Sequence, residues 1–410
     1  MCRLQGGEYQ RWQTKDFVSK YSRHLYIAQA FITAVALVWL VYGSMPPRCY
    51  TKDLQAEYLT AWALRDGIDI FTPLNELSAL YFPAATYGFP HSSPHPPFLA
   101  LVCLPLTLMS FPVIAMLWLA LNIALLIAVG RWLGLSVQGT LPLMAWPPLL
   151  FLLYVGNFEL LILALAMLGW RAAAARRDVH AGLWLGIAAA IKLYPILLLV
   201  PFVVCRRVRL LMAAGLVFVL SQLGSLVTAG MSGMFRYYGE ILPAVSTKYQ
   251  HLGLNNSTYG ALLRWFGGAI DVEPILHAPG VVLPVTIAIS LFALLALTRL
   301  EPEEAPVAIL VALPAIWYTY VILALPQIVI LLRSPNRRRA AFLAAAAASV
   351  VLPLVNMLSG PLSQLMRLHG SAQHSLAVLL STIQPVGFVA LLVLSIIRHS
   401  ERSPNLLDNP

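Results

Sequence analysis

Residues 180–209 read HAGLWLGIAAAIKLYPILLLVPFVVCRRVR, and this stretch decides the class of fold. Two apolar runs flank a single lysine, Lys192, and Pro195 follows three residues later. The stretch begins and ends beside arginines, which mark the cytoplasmic loops of membrane proteins. Because both ends are expected on the same side, one crossing helix does not fit. Two half-helices that turn near Lys192 do fit.

The whole chain has the composition of a polytopic membrane protein. Of its 410 residues 59% are hydrophobic and 11% are charged, and the mean hydropathy is +0.77. Soluble domains carry about 25% charged residues. The alternating strands of a membrane barrel are absent from the sequence. We therefore expect an all-α transmembrane bundle of about 10–13 membrane segments, some of them broken or re-entrant.

The net charge of +10 comes from basic clusters in short loops. Such clusters follow the positive-inside rule, so we expect membrane lipids and no nucleic acid as partners. The first long polar stretch then faces outward and carries short amphipathic helices. The predicted layout is a single membrane domain over residues 1–410, with a cytoplasmic arm at 1–24, a first extracytoplasmic loop at 44–95, a second extracytoplasmic region at 229–277 and a cytoplasmic tail at 398–410.

Two further stretches predict broken helices. Spans counted from the N-terminus give the wrong parity for a cytoplasmic Arg171, so something within 131–156 must be split or re-entrant. Prolines fall in this stretch, among them the pair Pro147 and Pro148. Residues 305–332 turn between two prolines in the same way. Broken helices at membrane depth are tolerated where they line a cavity.

Two ionisable residues lie inside apolar runs, Lys192 and, close to the end of a run, Glu159. An intramembrane charge is costly and is a functional-site hypothesis by default. Lys192 can also be a lysine that extends its ammonium to the membrane interface. Its position in the middle of a run beside a proline favours a pocket.

The first outward loop offers a catalytic acid. Asp53, Glu57 and Tyr58 lie one turn apart if Asp53 opens a helix. The alternative is that Asp53 caps this helix, a common role of aspartate. His91 and His95 follow in a proline-rich stretch, where a histidine is usually solvated, and their spacing does not make a metal site.

The second outward region offers polar contacts for a sugar phosphate. Asn255 and Asn256 carry amides suited to sugar hydroxyls, and a buried loop cap is the alternative for this pair. Arg264 can meet a phosphate.

Five segments of the chain form an ordered pattern that is similar to a known family. They are DLQAEYLTAWALRDGIDIF at 53–71, HPPFLALVCLPL at 95–106, GNFELLILALAML at 156–168 followed by AGLWLGIAAAIKLYP at 181–195, GLNNSTYGALLRWF at 253–266 and LPAIWYTYVILALP at 313–326. Together they resemble the GT-C membrane glycosyltransferases, most closely glycosyltransferase family 87, the polyprenol-phosphate-mannose-dependent mannosyltransferase-like proteins. The chain departs from the family pattern at Asn157, at Asn256 and at Thr319 with Tyr320, where the family usually has glutamine, glutamine and a histidine.

The resemblance implies a hexosyltransferase that moves a mannose-like sugar from a polyprenyl-phosphate donor to a glycan or glycolipid of the cell envelope. The expected site faces outward from a bacterial plasma membrane and needs no metal or cofactor. Asp53 is the expected catalytic base, and Lys192 with Arg264 is expected to bind the donor phosphate. The expected substrate-binding residues are Glu57, Tyr58, His91, His95, Asn157, Tyr194, Asn255, Asn256, Trp317 and Tyr320.

Two other classes of function compete with glycosyl transfer. A proton-coupled transporter needs carboxylates or histidines near the bilayer midplane. Of the 17 acidic residues only Glu159 enters an apolar run, which leaves a lipid flippase or a passive transporter as the alternative. A non-catalytic scaffold explains neither the intramembrane lysine nor the two long outward loops.

Overall fold

The computed structural model describes residues 22–83, 89–253, 255–270, 272–350 and 371–402. The regular elements of this part of the chain are α-helices with short 3₁₀ and π turns, which confirms the predicted all-α bundle. The two β-bridges there are isolated pairs. Most of the predicted N-terminal arm and C-terminal tail lies outside the described residues.

Five helices within the described ranges are long and apolar enough to cross a membrane. A sixth candidate is a pair of short helices, Val137–Ala145 and Pro147–Val155, that meet at an angle of 78°. This confirms the break predicted within residues 131–156. Proline at the start of the second half cannot donate the backbone hydrogen bond that would continue the first half. The five spans are Tyr26–Gly43, Phe111–Trp132, Val208–His251, Pro279–Leu297 and Ser371–Glu401.

The chain divides into two compact units, Met1–Val245 and Ser246–Pro410. The first contains the stretch predicted as the first outward loop, the bent pair and the stretch around Lys192. Its helices are α1 (Ser22–Gly43), α2 (Leu54–Arg65), α3 (Leu74–Tyr81), α4 (Phe98–Cys103), α5 (Phe111–Trp132), α6 (Val137–Thr140), α7 (Pro147–Val155), α8 (Glu159–Ala174), α9 (Asp178–Ile191), α10 (Val200–Val204) and α11 (Val208–Arg236).

The second unit contains the polar turn around Asn255 and the broken stretch 305–332. A helix that ends at His251, α12, runs across the boundary between the units. The helices from the boundary onward are α12 (Leu242–His251), α13 (Thr258–Leu262), α14 (Pro279–Leu297), α15 (Ala305–Ala312), α16 (Leu325–Leu332), α17 (Arg338–Ala348) and α18 (Ser371–Arg402).

The stretch around Lys192 forms a helical hairpin, as predicted. Helix α9 ends at Ile191, Lys192 has extended backbone, and a 3₁₀ turn over Tyr194–Leu199 leads into α10. Beyond α10 the Arg207 guanidinium donates to the Asp178 carboxylate, with Nε 3.0 Å from Oδ1. The chain therefore returns to the level at which α9 began. The 14 residues of α9 rise about 21 Å, so the turn at Lys192 lies about that far from the level of Asp178.

A second hairpin lies in the other unit. Helix α15 ends at Ala312, and a 3₁₀ turn over Tyr318–Ala324 precedes α16. Before the hairpin Glu304 pairs with Arg398 of α18, and after it Arg337 pairs with Glu401 of the same helix. Since Arg398 and Glu401 are one turn apart, this chain segment also ends at the level where it started. The sequence predicts both breaks, the first from the flanking arginines with Pro195 and the second from its two prolines.

Glycines let α9 pack closely against the start of α11. A Cβ at Gly182 would lie 2.2 Å from the Leu210 carbonyl oxygen and 2.7 Å from the Ala213 Cβ. One turn later, a Cβ at Gly186 would lie 3.0 Å from the Ala214 backbone. Small residues four apart allow such close approach between membrane helices. These contacts hold α9, the first half of the hairpin around Lys192, against α11.

Replacing Gly182 by alanine should therefore destabilise the chain by about 1–3 kcal/mol, because the new methyl group forces α9 away from the α11 backbone. The measurement is the apparent melting temperature of the purified protein in detergent. The matched control is Gly215→Ala on α11, where a Cβ would meet nothing within 4 Å. Equal melting temperatures for the two variants would contradict the close-packing account.

Candidate functional site

Asp53 stands at the start of α2, and its carboxylate does not cap that helix. The N-cap position makes no side-chain cap hydrogen bond. The Asp53 Oδ2 atom instead accepts a hydrogen bond of 2.8 Å from the Asn157 amide nitrogen. The capping alternative is therefore wrong. The carboxylate is directed toward the segment that follows α7, and Asp53 as a whole is half-buried.

A backbone hydrogen bond and an indole hydrogen bond hold the end of α7 in place beside the start of α2. The Asp53 N–H donates to the Val155 carbonyl at 2.6 Å, and the Trp118 indole donates to the Gly156 carbonyl at 2.8 Å. Gly156 ends α7 in the left-handed conformation, with φ of +71°, which is a common helix-ending role of glycine. This turn places Asn157 beside Asp53.

Asn157 links the carboxylate of Asp53 to the ammonium of Lys192. Its amide nitrogen faces Asp53, and its carbonyl oxygen accepts from Lys192 Nζ at 3.2 Å. The two groups that the sequence singled out are therefore brought into one polar row. The extended backbone of Lys192, at the turn of the hairpin, ends α9 at this position.

Glu159 is the residue of this row that the sequence did not assign to the site. Its Oε1 lies 2.5 Å from Lys192 Nζ, and its other oxygen accepts from the Tyr194 hydroxyl. Glu159 is 0% exposed and Lys192 is 8% exposed, so this is a buried ion pair. Lys192 is thus a paired rather than an isolated cation. The signal was present, since Glu159 was the other ionisable residue inside an apolar run.

One turn along α2, Glu57 forms a second buried cluster. Its Oε1 accepts from the Ser93 hydroxyl at 3.3 Å and contacts Nδ1 of His95. Its other oxygen is buried without a hydrogen-bond partner. Glu57, Thr60, Ser93 and His95 line a cavity of about 10 Å³, which is room for about one water molecule. Two expected substrate contacts, Glu57 and His95, are thus paired with each other.

Burial raises the pKa of the Asp53 carboxyl above its ordinary value. The charge of Lys192 and the hydrogen bond from Asn157 act in the opposite direction, and so does His95, whereas the nearby Glu57 raises the pKa further. A carboxylate with a raised pKa is a stronger base. Its affinity for a proton is better matched to a reaction at neutral pH.

The geometry does not bring Tyr58 and His91 to the row of Asp53, Asn157 and Lys192. The Tyr58 hydroxyl donates to the Met109 carbonyl at 2.8 Å. The His91 ring packs at 5.5 Å from that of Phe89. Their substrate-binding role stays a prediction.

In the second unit Asn255 holds its turn against the broken helix. Its amide nitrogen donates to the Pro314 carbonyl at 2.8 Å, and its oxygen accepts from the Ile316 N–H at 3.0 Å. These bonds fit the buried loop cap. Asn256 is fully buried, and neither polar atom of its side chain has a hydrogen-bond partner.

Arg264 is buried under the same turn. Its guanidinium donates to the carbonyls of Gly253, Asn255 and Ser381 at 3.1, 2.6 and 3.2 Å. These three bonds favour a structural role, and phosphate binding stays a prediction for this residue. Trp317 packs edge-on against Tyr249 at 5.2 Å, and Tyr320 lies in the 3₁₀ turn that follows.

In the part of the chain that the structure describes, no group of three or more His, Cys, Asp or Glu side chains is arranged to hold a metal ion.

Comparison with protein families gives a match over the central part of the chain. The model of glycosyltransferase family 87 matches residues 94–326, more than half of the chain. Asn157, Glu159 and Lys192 lie inside the matched range, and Asp53 precedes it. No curated protein and no solved structure matches the chain. The all-α bundle with its apolar spans is consistent with the GT-C superfamily. The chain belongs to glycosyltransferase family 87 and is a membrane glycosyltransferase.

Proposed function

We propose that this glycosyltransferase moves a hexose, mannose-like in stereochemistry, from a polyprenyl-phosphate donor to a glycan or glycolipid acceptor. The observation that carries the proposal is the bridge through Asn157 between the Asp53 carboxylate and the Lys192 ammonium. An acid and a cation in one row are the two groups that such a transfer needs. The basic loops predict that the row faces outward from a bacterial plasma membrane.

The proposed reaction is one in-line displacement. The acceptor oxygen attacks the anomeric carbon, the bond from that carbon to the phosphate oxygen breaks, and its electron pair leaves with the phosphate. Asp53 takes the proton of the acceptor hydroxyl, which is worth roughly 10²–10⁴-fold in rate for a general base. The product is inverted at the anomeric carbon.

Lys192 would stabilise the charge that develops on the departing phosphate. A preorganised cation in a water-poor site is most effective for this purpose. Glu159 and Asn157 hold the ammonium in place. The pair with Glu159 also reduces its net charge, so the phosphate competes with Glu159 for the same ammonium.

The remaining substrate contacts follow from position. Glu57, His95 and Tyr194 lie beside the row and would meet the sugar or acceptor hydroxyls. For Asn255, Asn256, Trp317 and Tyr320 the proposed substrate contacts rest on the resemblance to the family alone.

The test is incubation of membranes containing the protein with a panel of radiolabelled polyprenyl-phosphate sugars. We expect the label to enter a new glycan or glycolipid with inverted anomeric configuration. Movement of the labelled lipid between leaflets, with no transfer of sugar, would instead support the flippase alternative. Transfer from a sugar nucleotide but from none of the polyprenyl-phosphate sugars would overturn the proposed donor class.

The acidic limb of the pH profile should report Asp53. The base must be ionised, so the rate rises with pH through the pKa of Asp53, which burial raises. Replacing Asn157 by leucine removes a hydrogen bond to the ionised carboxylate, and such bonds are worth about 1.5–3 kcal/mol. The limb in kcat/KM should therefore move to higher pH by about one pKa unit or more.

The control for this shift is Asn122→Leu, since the Asn122 amide donates to the Trp118 carbonyl within its own helix. Its acidic limb should match that of the unmodified protein. An unshifted limb in Asn157→Leu would mean that the Asp53–Asn157 bond does not set the ionisation that controls the rate.

A further inference from the structure

Lys52 is a buried cation directly before the proposed base. Its side chain is 2% exposed, although it lies in a polar stretch where a lysine is usually solvated. Its ammonium donates to the Tyr154 carbonyl and lies 5.3 Å from the centroid of the Tyr154 ring. The ion pairs among the described residues do not include it.

The partner of Lys52 is the end of a helix. Tyr154 is in the last turn of α7. The carbonyl groups there lack donors within the helix, and this end of the helix dipole carries a partial negative charge. The Lys52 ammonium donates a hydrogen bond to the carbonyl of Tyr154, and the N–H of Asp53 donates one to the carbonyl of Val155. Two consecutive residues therefore hold two consecutive carbonyls.

Gly156, which follows Val155 at the end of α7, lies beside this contact. A Cβ at Gly156 would lie 3.3 Å from the Trp118 ring and 3.7 Å from the Lys52 Cβ. The next residue, Asn157, is the one that bridges Asp53 and Lys192. The geometry of the bridge therefore depends on how α7 is held against residues 52–53.

We propose that Lys52 is a positioning residue for glycosyl transfer, whose ammonium clamps the end of α7 to the start of α2 and so fixes Asp53 against Asn157. The proposal rests on the proposed role of Asp53 as the base. Lys52 itself touches neither the acceptor nor the sugar.

The clamp should depend on pH. The titratable groups around Lys52 are Cys49, Asp53 and the Tyr154 phenol. Burial lowers the pKa of Lys52 to about 8, while Cys49 and Asp53 oppose this shift. Above about pH 8 the ammonium in the folded protein loses its proton, and with it the charge that faces the helix end. Activity should therefore decline on the alkaline side, independently of the acidic limb from Asp53.

The experiment compares Lys52→Met and Lys52→Arg in the full chain, with the exposed Lys248→Met as a matched control. In the unmodified protein kcat should fall about threefold to tenfold between pH 8 and 9.5. Lys52→Arg, which stays charged, should keep its activity across this range. Lys52→Met should have a kcat lower by about tenfold at pH 7, an unchanged KM for the donor and no alkaline limb.

Two kinetic results would overturn the proposal. The first is a Lys52→Met variant with the turnover and pH profile of the unmodified protein. The second is a Lys52→Arg variant that retains the alkaline limb.

Hydrogen–deuterium exchange tests, without any substrate, whether Lys52 holds the end of α7 to the start of α2. In detergent at pH 7, Lys52→Met should speed exchange of the Asp53 amide, which is bonded to Val155, and Lys248→Met should not. Unchanged exchange in Lys52→Met would overturn the clamp even if transfer is observed. If the unmodified protein transfers no sugar from any polyprenyl-phosphate donor, the proposed function fails, and the exchange result still decides the clamp.

Discussion

Replacing Asp53 by asparagine should reduce sugar transfer by about 10²–10⁴-fold, because the acceptor hydroxyl then has no base. The fold should survive, since an asparagine carbonyl oxygen can still accept the hydrogen bond that Asn157 donates to Asp53. The measurement is single-turnover transfer by purified protein, with the melting temperature recorded on the same samples.

The control for this variant is Asp66→Asn. Asp66 is an exposed carboxylate close to the same loop, where it accepts a hydrogen bond from the Tyr81 hydroxyl at 3.0 Å. It should retain full activity. Near-normal turnover in Asp53→Asn would exclude Asp53 as the base and would require another acid, with Glu57 the first to be tested.

The second large effect is expected at Lys192. Replacing it by methionine leaves Glu159 buried without its cation, and breaking a buried ion pair in this way costs about 3–5 kcal/mol. The single variant should therefore lose both stability and activity. This result by itself does not separate structure from catalysis.

The double variant Lys192→Met with Glu159→Gln separates them. With both charges removed no unpaired ion is buried, so most of the melting temperature should return. Transfer should remain lost, because no ammonium faces the departing phosphate. A double variant with restored transfer would reduce Lys192 to a structural partner of Glu159.

The broken helices were predictable from local sequence. Proline removes a backbone donor, and arginines at both ends of residues 180–204 required the chain to return to one side. These breaks are therefore predictable without knowledge of the tertiary fold. The same holds for residues 131–156, where parity and prolines together indicated the 78° bend.

The site was predictable only in part. Asp53 and Lys192 stood out by type and position, whereas the burial of Lys52 depends on α7, about a hundred residues later in the chain. A lysine in a polar loop gives no local signal of such burial. The three carbonyl partners of Arg264 were not predictable for the same reason, since they come from segments that local sequence does not join.

The contact between Arg207 and Asp178 has a practical consequence for topology mapping. An epitope inserted beside Arg176 and another beside Arg206 should become accessible to antibody in the same compartment, since the chain between them enters and leaves by one face. A topology diagram that treats residues 180–204 as a full crossing would place every later loop on the wrong side of the membrane. Reporter fusions in each of those loops would then contradict the diagram.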